Sequence, residues 1–240
     1  MHTSNQEPDI MEVFSIISIE SALKWPPPEN KPCESVPNRD SEHHALIILH
    51  IQDVRPDGNC GFRAISASIG DHEDNWPTVR HNLLQELMNY REEYENMFGV
   101  GECNGIYDAL NFFWTDRVAP EEYWLTTNMG VMIASAYNVI FHILSSGGGA
   151  TYFPLRSSPP PLHQHTHMAI GHVNGAHWVK VTLIEGYPMP PIHPHWTYFK
   201  YDIAAAWATL YEMQLQMYIN YFRSNNARRN RPVVRINVPD

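Results

Sequence analysis

Apolar positions recur along this chain with two different periods, and the switches between them mark out strands and helices. Residues 45–54 form a strand-like run that feeds into Arg55-Pro56-Asp57-Gly58, and after Cys60 the apolar residues Phe62, Ile65 and Ile69 recur at helical spacing. Pro and Gly punctuate the turn, and Asp or Asn just ahead of an apolar-periodic run signals a helix start, so a helix is predicted to begin at or beside Cys60. After a loop at 71–77, Thr78 opens a long amphipathic helix with Val79, Leu83, Leu87, Tyr90, Tyr94 and Phe98 on one face, a core stripe that Gly99 and Gly101 should end. Two further helices are predicted at 106–118 and 120–136, then a buried strand at 136–144 and a Gly-rich loop at 145–150, expected beside a groove. That loop has no following Lys-Ser/Thr and so no phosphate-binding signature. Residues 168–173 and 177–183 read as two strands of a hairpin joined by Asn174-Gly175-Ala176, Asn-Gly being the strongest short hairpin-turn signal. A last amphipathic helix at 203–222 carries Trp207, Leu210, Tyr211, Leu215, Tyr218 and Phe222.

The ends differ in character from the middle. Residues 10–23 suit a short apolar helix, ended by Lys24-Trp25-Pro26-Pro27-Pro28, and the polar, Pro-rich stretch to residue 44 has linker composition. Arg223, Arg228, Arg229, Arg231 and Arg235 make a basic tail, read as solvated linker, with a localisation signal or nucleic-acid contact as the other reading. The expected organisation is therefore an extension at 1–44, one main domain at 45–200, and a helix with a basic tail at 201–240. At 240 residues, 43 % hydrophobic and 18 % charged, the chain is long enough to bury one good core.

Charge and cysteine usage narrow the classes. With 16 Lys+Arg against 26 Asp+Glu the formal charge is −10, which makes a poor generic nucleic-acid binder and suits a basic polypeptide substrate. Cys33, Cys60 and Cys103 are sparse, odd in number and without metal-type spacing, as in a reducing compartment. No signal peptide opens the sequence and no uncharged apolar run reaches membrane-spanning length, so cytoplasm or nucleus is expected, without membrane or secretion.

The candidate chemistry centres on Cys60. A helix N-terminus offers unpaired amides and a positive dipole end, and a thiol placed there ionises more readily than the free value of about 8.5. A small buried structural residue is the competing reading. His177, opening the second hairpin strand at a sheet edge, is a partner of the kind cysteine nucleophiles use: distant in sequence and adjacent in the fold. The other reading of His177, one of fourteen histidines, is a ring that only braces the turn. His163, His165 and His167 alternate, as do His193 and His195, but no Cys or acidic ligand stands at helpful spacing. They read as exposed loop histidines, and no metal or cofactor is expected.

The string Asp57-Gly58-Asn59-Cys60-Gly61-Phe62-Arg63-Ala64, with Asn174-Gly175-Ala176-His177-Trp178, resembles the Cys and His boxes of ovarian-tumour (OTU) domain cysteine proteases, most of whose studied members are deubiquitinases. Residues 124–144, 151–155 and 186–191 with Trp196 are similar to segments of OTU domains in plant and fungal transposon-related proteins. The resemblance covers roughly residues 45–200. It implies an α/β papain-like cysteine protease fold of OTU type, a small central mixed sheet flanked by helices. Cys60 would be nucleophile and His177 general base and acid. Asp57 would order the loop whose amides, around Gly58, Asn59 and Cys60, form the oxyanion hole. Many family members carry Asn or Asp two residues after the histidine to orient it; this chain has Val179 there, leaving Asn174 and Asp53 as candidate orienting groups. Trp178 would flank the substrate groove and narrow it for a Gly-Gly passage.

The implied reaction is hydrolysis of an isopeptide or peptide bond at the C-terminus of ubiquitin, whose tail carries arginines, or of a ubiquitin-like protein. Val179 keeps open a catalytically weak or silent OTU-like module that binds ubiquitin or another partner. The basic tail keeps open an accessory protein inherited from a mobile element.

Overall fold

A computed structural model describes residues 48–114, 118–145 and 148–229, with side chains through residue 220. The helix and linker predicted within 1–44 and the last arginines of the tail, Arg231 and Arg235, lie outside the described residues. In chain order the elements are β1 (Ile48–Gln52), α1 (Cys60–Ser68), α2 (Trp76–Asn89), α3 (Arg91–Phe98), α4 (Val100–Leu110), α5 (Gly130–Tyr137), β2 (Ile140–Ser145), β3 (Gly148–Tyr152), β4 (His167–Val173), β5 (His177–Leu183), α6 (Pro194–Phe199), α7 (Ala206–Leu210) and α8 (Glu212–Arg229). One mixed sheet runs β1-β5-β4-β2-β3, with β2 and β4 parallel and the other neighbours antiparallel. Helices flank it, and α1 packs against β5 and β4.

The strands predicted around the hairpin match the structure closely. Val173 pairs with His177, and Asn174 and Gly175 turn the corner at φ 53° and 69°. Positive φ at both corner residues is what a type I′ turn needs, and Asn and Gly supply it at least cost. The predicted core stripe is also present: Val79, Leu83, Leu87 and Tyr94 are all buried.

Several boundaries differ, each for a tertiary reason. The long helix predicted from Thr78 begins at Trp76 and breaks at Tyr90 (φ −126°, ψ 33°) into α2 and α3. Arg156 lies 3.5 Å over the Tyr90 ring and pairs with Glu86 on one side of the break and Glu93 on the other. Gly99, at φ 88°, ends α3 as predicted, but Gly101 does not stop the chain. It falls in the first turn of α4, where glycine costs little, so the helix predicted at 106–118 runs from Val100 to Leu110 instead. The predicted helix at 120–136 is replaced by two short 3-10 turns and α5, because the segment's backbone is engaged elsewhere. The Ala119 N–H donates to the Asp57 carbonyl at 2.9 Å, and the Ala119 carbonyl accepts from the Trp124 indole at 2.7 Å.

The Gly-rich loop is in part a strand, since Gly148–Tyr152 forms β3 against β2. Glycine fits there because a Cβ on Gly149 would come within 3.1 Å of Pro190, whose segment covers this edge of the sheet. Thr151 N–H donates to the Pro191 carbonyl and His193 N–H to the Thr151 carbonyl, at 2.8 and 2.9 Å. The last predicted helix is likewise two, α7 and α8, broken at Tyr211 (φ −112°), whose hydroxyl is held by His165 and His167. Of the histidines expected as exposed loop residues, His163 fits, whereas His165 is half-buried and hydrogen-bonded and His193 caps α6. Trp207 and Tyr211 join the same core as the sheet, so α7 and the start of α8 are packed onto it.

Candidate active site

The turn ahead of α1 is held by its own side chains. Asp57 accepts from the Asn59 N–H at 3.0 Å, and its two oxygens accept from Arg63 at 2.6 to 3.2 Å. Arg63 is buried and also reaches Asp74 at 2.6 Å. Burial alone would raise the Asp57 carboxyl, but the hydrogen bonds from Arg63 and Asn59 outweigh it and hold the group below its ordinary value. Gly58 sits at φ 78°, and a Cβ there would stand 2.4 Å from the Ala119 carbonyl oxygen. Only glycine fits that position without a shift.

Asn59 is the residue before the cysteine, and its side chain is buried. Its Oδ1 accepts from Arg80 of α2 at 2.8 Å. Arg80, itself fully buried, also donates to the carbonyls of Ala109 and of Tyr123, the latter at 2.9 Å, and lies 3.9 Å over the Phe62 ring. Burial pulls against its charge, and three oxygens and an aromatic face answer. The sequence reading missed Arg80. Its only sequence signal was a cation interrupting an apolar helix face, adjacent to Val79.

Cys60 is the first residue of α1, as predicted, but it is only 3 % exposed. Burial pushes the thiol above its ordinary value; backbone N–H groups of Trp178, Gly61 and Cys60 itself pull the other way, and the Asp57 charge adds to the rise. The expectation of a readily ionised thiol is therefore overturned for this conformation: desolvation exceeds the helix-end field. The proximity of the Trp178 N–H places the sulfur beside the strand that opens with His177.

His177 is fixed from one side. Its Nε2 lies 2.7 Å from Asp53 Oδ1, an oxygen that also accepts from the Val54 N–H at 2.9 Å. An ionised carboxylate only accepts, so Nε2 carries the proton and Nδ1 of the neutral ring carries the lone pair. That Nδ1 is buried and has no hydrogen-bond partner among the described residues. Of the two candidate orienting groups, Asp53 meets the ring, while Asn174 forms the corner of the turn. Val179 faces Gly171 across the hairpin and is buried. Trp178 is 3 % exposed with its ring 4.4 Å from that of His172, so its side chain is packed in the fold and does not line the open groove beside Asp53.

An open groove of about 490 Å³ lies beside Asp53, walled by Asp53, Arg55, Asp71, His72 and Glu73. Among the described residues no group of three or more His, Cys, Asp or Glu is arranged to hold a metal ion. No described helix is long and apolar enough to cross a membrane. The chemistry on hand is thus a thiol at a helix start, an imidazole with a free lone pair, a carboxylate fixing its tautomer, and an ordered loop of backbone donors.

No protein-family model matches the chain, and no curated protein matches it. Among solved structures it is similar to the viral OTU domain protease from Farallon virus, 23 % identical, covering 56 % of this chain and 84 % of that one at a TM-score of 0.37. The OTUD1 OTU domain is 16 % identical, over 55 % and 85 % of the two chains, at a TM-score of 0.41. The Hazara virus OTU bound to ubiquitin is 13 % identical, over 56 % and 81 %, at a TM-score of 0.37.

Proposed function

We propose that the protein is a cysteine hydrolase of OTU type that cleaves isopeptide or peptide bonds at the C-terminus of ubiquitin or a ubiquitin-like protein. The observation that carries this is His177: its Nε2 is fixed on Asp53, and its buried Nδ1 is left without a partner on the strand beside the Cys60 sulfur. A lone pair kept dry and unbonded is costly in a merely structural ring, and it is what a general base needs.

In this reading the Cys60 thiol passes its proton to His177 Nδ1, and the thiolate attacks the carbonyl carbon of the scissile bond. The oxyanion so formed is met by backbone N–H groups of the loop that Asp57 and Arg63 brace and Arg80 anchors through Asn59. The imidazolium then protonates the leaving amine, and a thioester remains on Cys60. Water, deprotonated by His177, hydrolyses the thioester and frees the carboxylate. Asp53 keeps the ring in the working tautomer. Carboxylates along the adjoining groove suit a substrate tail that carries arginines.

The buried, un-ionised thiol favours a second reading, a silent module that binds ubiquitin without turnover. Ubiquitin bearing a C-terminal electrophile separates the two. Covalent labelling that disappears in Cys60→Ala is the expected result, whereas binding without labelling supports the silent module and defeats the hydrolase.

A further inference from the structure

Away from the cysteine, a row of side chains joins the sheet to the C-terminal helices. Thr151 Oγ1 donates to the Pro190 carbonyl at 2.7 Å. From there the contacts run His142 Nδ1 to Thr151 Oγ1 (3.0 Å), Tyr187 hydroxyl to His142 Nε2 (2.5 Å) and His167 Nδ1 to the Tyr187 hydroxyl (2.7 Å). They continue from the Tyr211 hydroxyl to His167 Nε2 (3.2 Å), His165 Nδ1 to the Tyr211 hydroxyl (2.6 Å) and His165 Nε2 to the Pro160 carbonyl (2.8 Å). Both ends are carbonyl oxygens, which only accept.

Every link of such a chain needs one proton. The six side chains, each neutral, bring one apiece: a hydroxyl proton on Thr151, Tyr187 and Tyr211, and a ring proton on His142, His167 and His165. The links number seven. Neutral groups therefore leave one contact without a hydrogen, and a lone-pair pair facing at hydrogen-bond distance inside a protein is repulsive. One added proton completes the set, and it makes one of the three rings an imidazolium.

The surroundings choose which ring. His142 is 0 % exposed in the middle of the sheet, where an added charge is most costly. His167 shares its cavity with Lys180, a like charge, as well as Glu185 and Tyr187, and stacks on His142 at 6.0 Å. Burial lowers the affinity of His142 for a second proton, and the desolvation of the His167 ring between His142, Tyr187 and Tyr211 does the same there. His165 lies against Trp207 at 4.8 Å and Tyr211 at 5.7 Å, and an indole face is the best aromatic partner for a cation. We propose that this chain holds one proton beyond those of its neutral groups, carried on His165, and that the proton clamps α7 and the start of α8 onto the sheet. With His165 donating at both nitrogens, Tyr211 donates to His167, His167 to Tyr187, Tyr187 to His142, His142 to Thr151, and Thr151 to Pro190. Both inner rings are then neutral with the proton on Nδ1.

Ring-nitrogen NMR of the full chain at pH 7, assigned through His165→Gln, tests this. The expected spectrum shows His165 protonated on both nitrogens, and His142 and His167 on Nδ1 alone. Tyr211→Phe and Tyr187→Phe each split the row into pieces whose links and neutral protons match, so either change should free His165 of its second proton at the same pH. In the wild type, amide protection of α7 and α8 should fall as pH rises, with the midpoint at which His165 titrates. Three neutral rings in the wild type at pH 7, an imidazolium that survives both Phe changes, or helix protection that ignores the His165 titration would overturn the proposal.

Discussion

At the scale of single residues the site turns on one imidazole and what holds it. Asp53 Oδ1 meets His177 Nε2 from β1's end of the sheet, the contact that an Asn or Asp two residues after the histidine was expected to make. The substitution Asp53→Ala removes the oxygen that fixes Nε2 and frees both the orientation and the tautomer of the ring. Turnover of a ubiquitin reporter should fall by roughly 10²- to 10⁴-fold with little change in KM, the order of loss seen when a triad carboxylate is disabled. Asn174→Gly, which keeps the positive φ of the turn, should leave turnover within about twofold, since the Asn174 side chain makes no hydrogen bond to the ring. Cys60 and His177 were legible in the sequence because their neighbours carry local signals: an Asp-Gly turn before a helix, an Asn-Gly turn before a strand. Asp53 was legible only as one of two alternatives. The choice depends on how β1 lies against β5, a pairing between residues more than a hundred positions apart.

At the scale of elements, α1, α2, α4 and the 119–124 segment meet around the loop ahead of Cys60. Arg80 ties them by holding Asn59 Oδ1 and the carbonyls of Ala109 and Tyr123. Arg80→Met removes the donor and leaves buried oxygens unpaired, which should cost about 1–3 kcal/mol of stability per oxygen left without another partner. If the arginine also positions the loop, Arg80→Met and Asn59→Ala should each lower kcat, and the double variant should lose less than the product of the two. Multiplying effects, with kcat/KM following stability alone, would reduce Arg80 to a packing role. Element identity was readable wherever one face alone is buried. It failed at Tyr90, Gly101, 120–136 and Tyr211, because Arg156, the Cys loop and the histidine row compete for those backbones and side chains. Local periodicity does not register partners that arrive from sixty or seventy residues away.

At the scale of the whole molecule, histidines that desolvation keeps neutral make stability depend on pH. His142 lies well below the ordinary imidazole value through burial, and burial takes His167 to about 4. An unfolded chain binds protons on these rings near pH 6.5, whereas in the folded chain His167 refuses its proton until about pH 4 and His142 stays neutral well below the ordinary imidazole range. Their contribution is complete above pH 6.5 and is lost as pH falls toward 4, so the thermal midpoint should drop across that window. Loss of the Asp57 pairing with Arg63 adds to it once pH falls through the carboxylate range. A midpoint that stays level from pH 7 to 4 would contradict the neutral state of these rings. The hairpin strands, the core helix stripe and a cysteine at a helix start were readable from order and period, whereas the mixed sheet between helices was an expectation carried by the resemblance to OTU domains. The depth of Cys60 was not readable, because burial is set by how α1 packs on β5 and β4, which local pattern does not carry.

The most direct measurement is hydrolysis of a ubiquitin C-terminal amide reporter by the wild type, Cys60→Ala and His177→Ala. The wild type should turn over repeatedly, Cys60→Ala should be inactive, and His177→Ala should lose on the order of 10³-fold or more. A wild type that binds the reporter without cleaving it, or a Cys60→Ala protein that cleaves as well as the wild type, would contradict a thiol mechanism at this site.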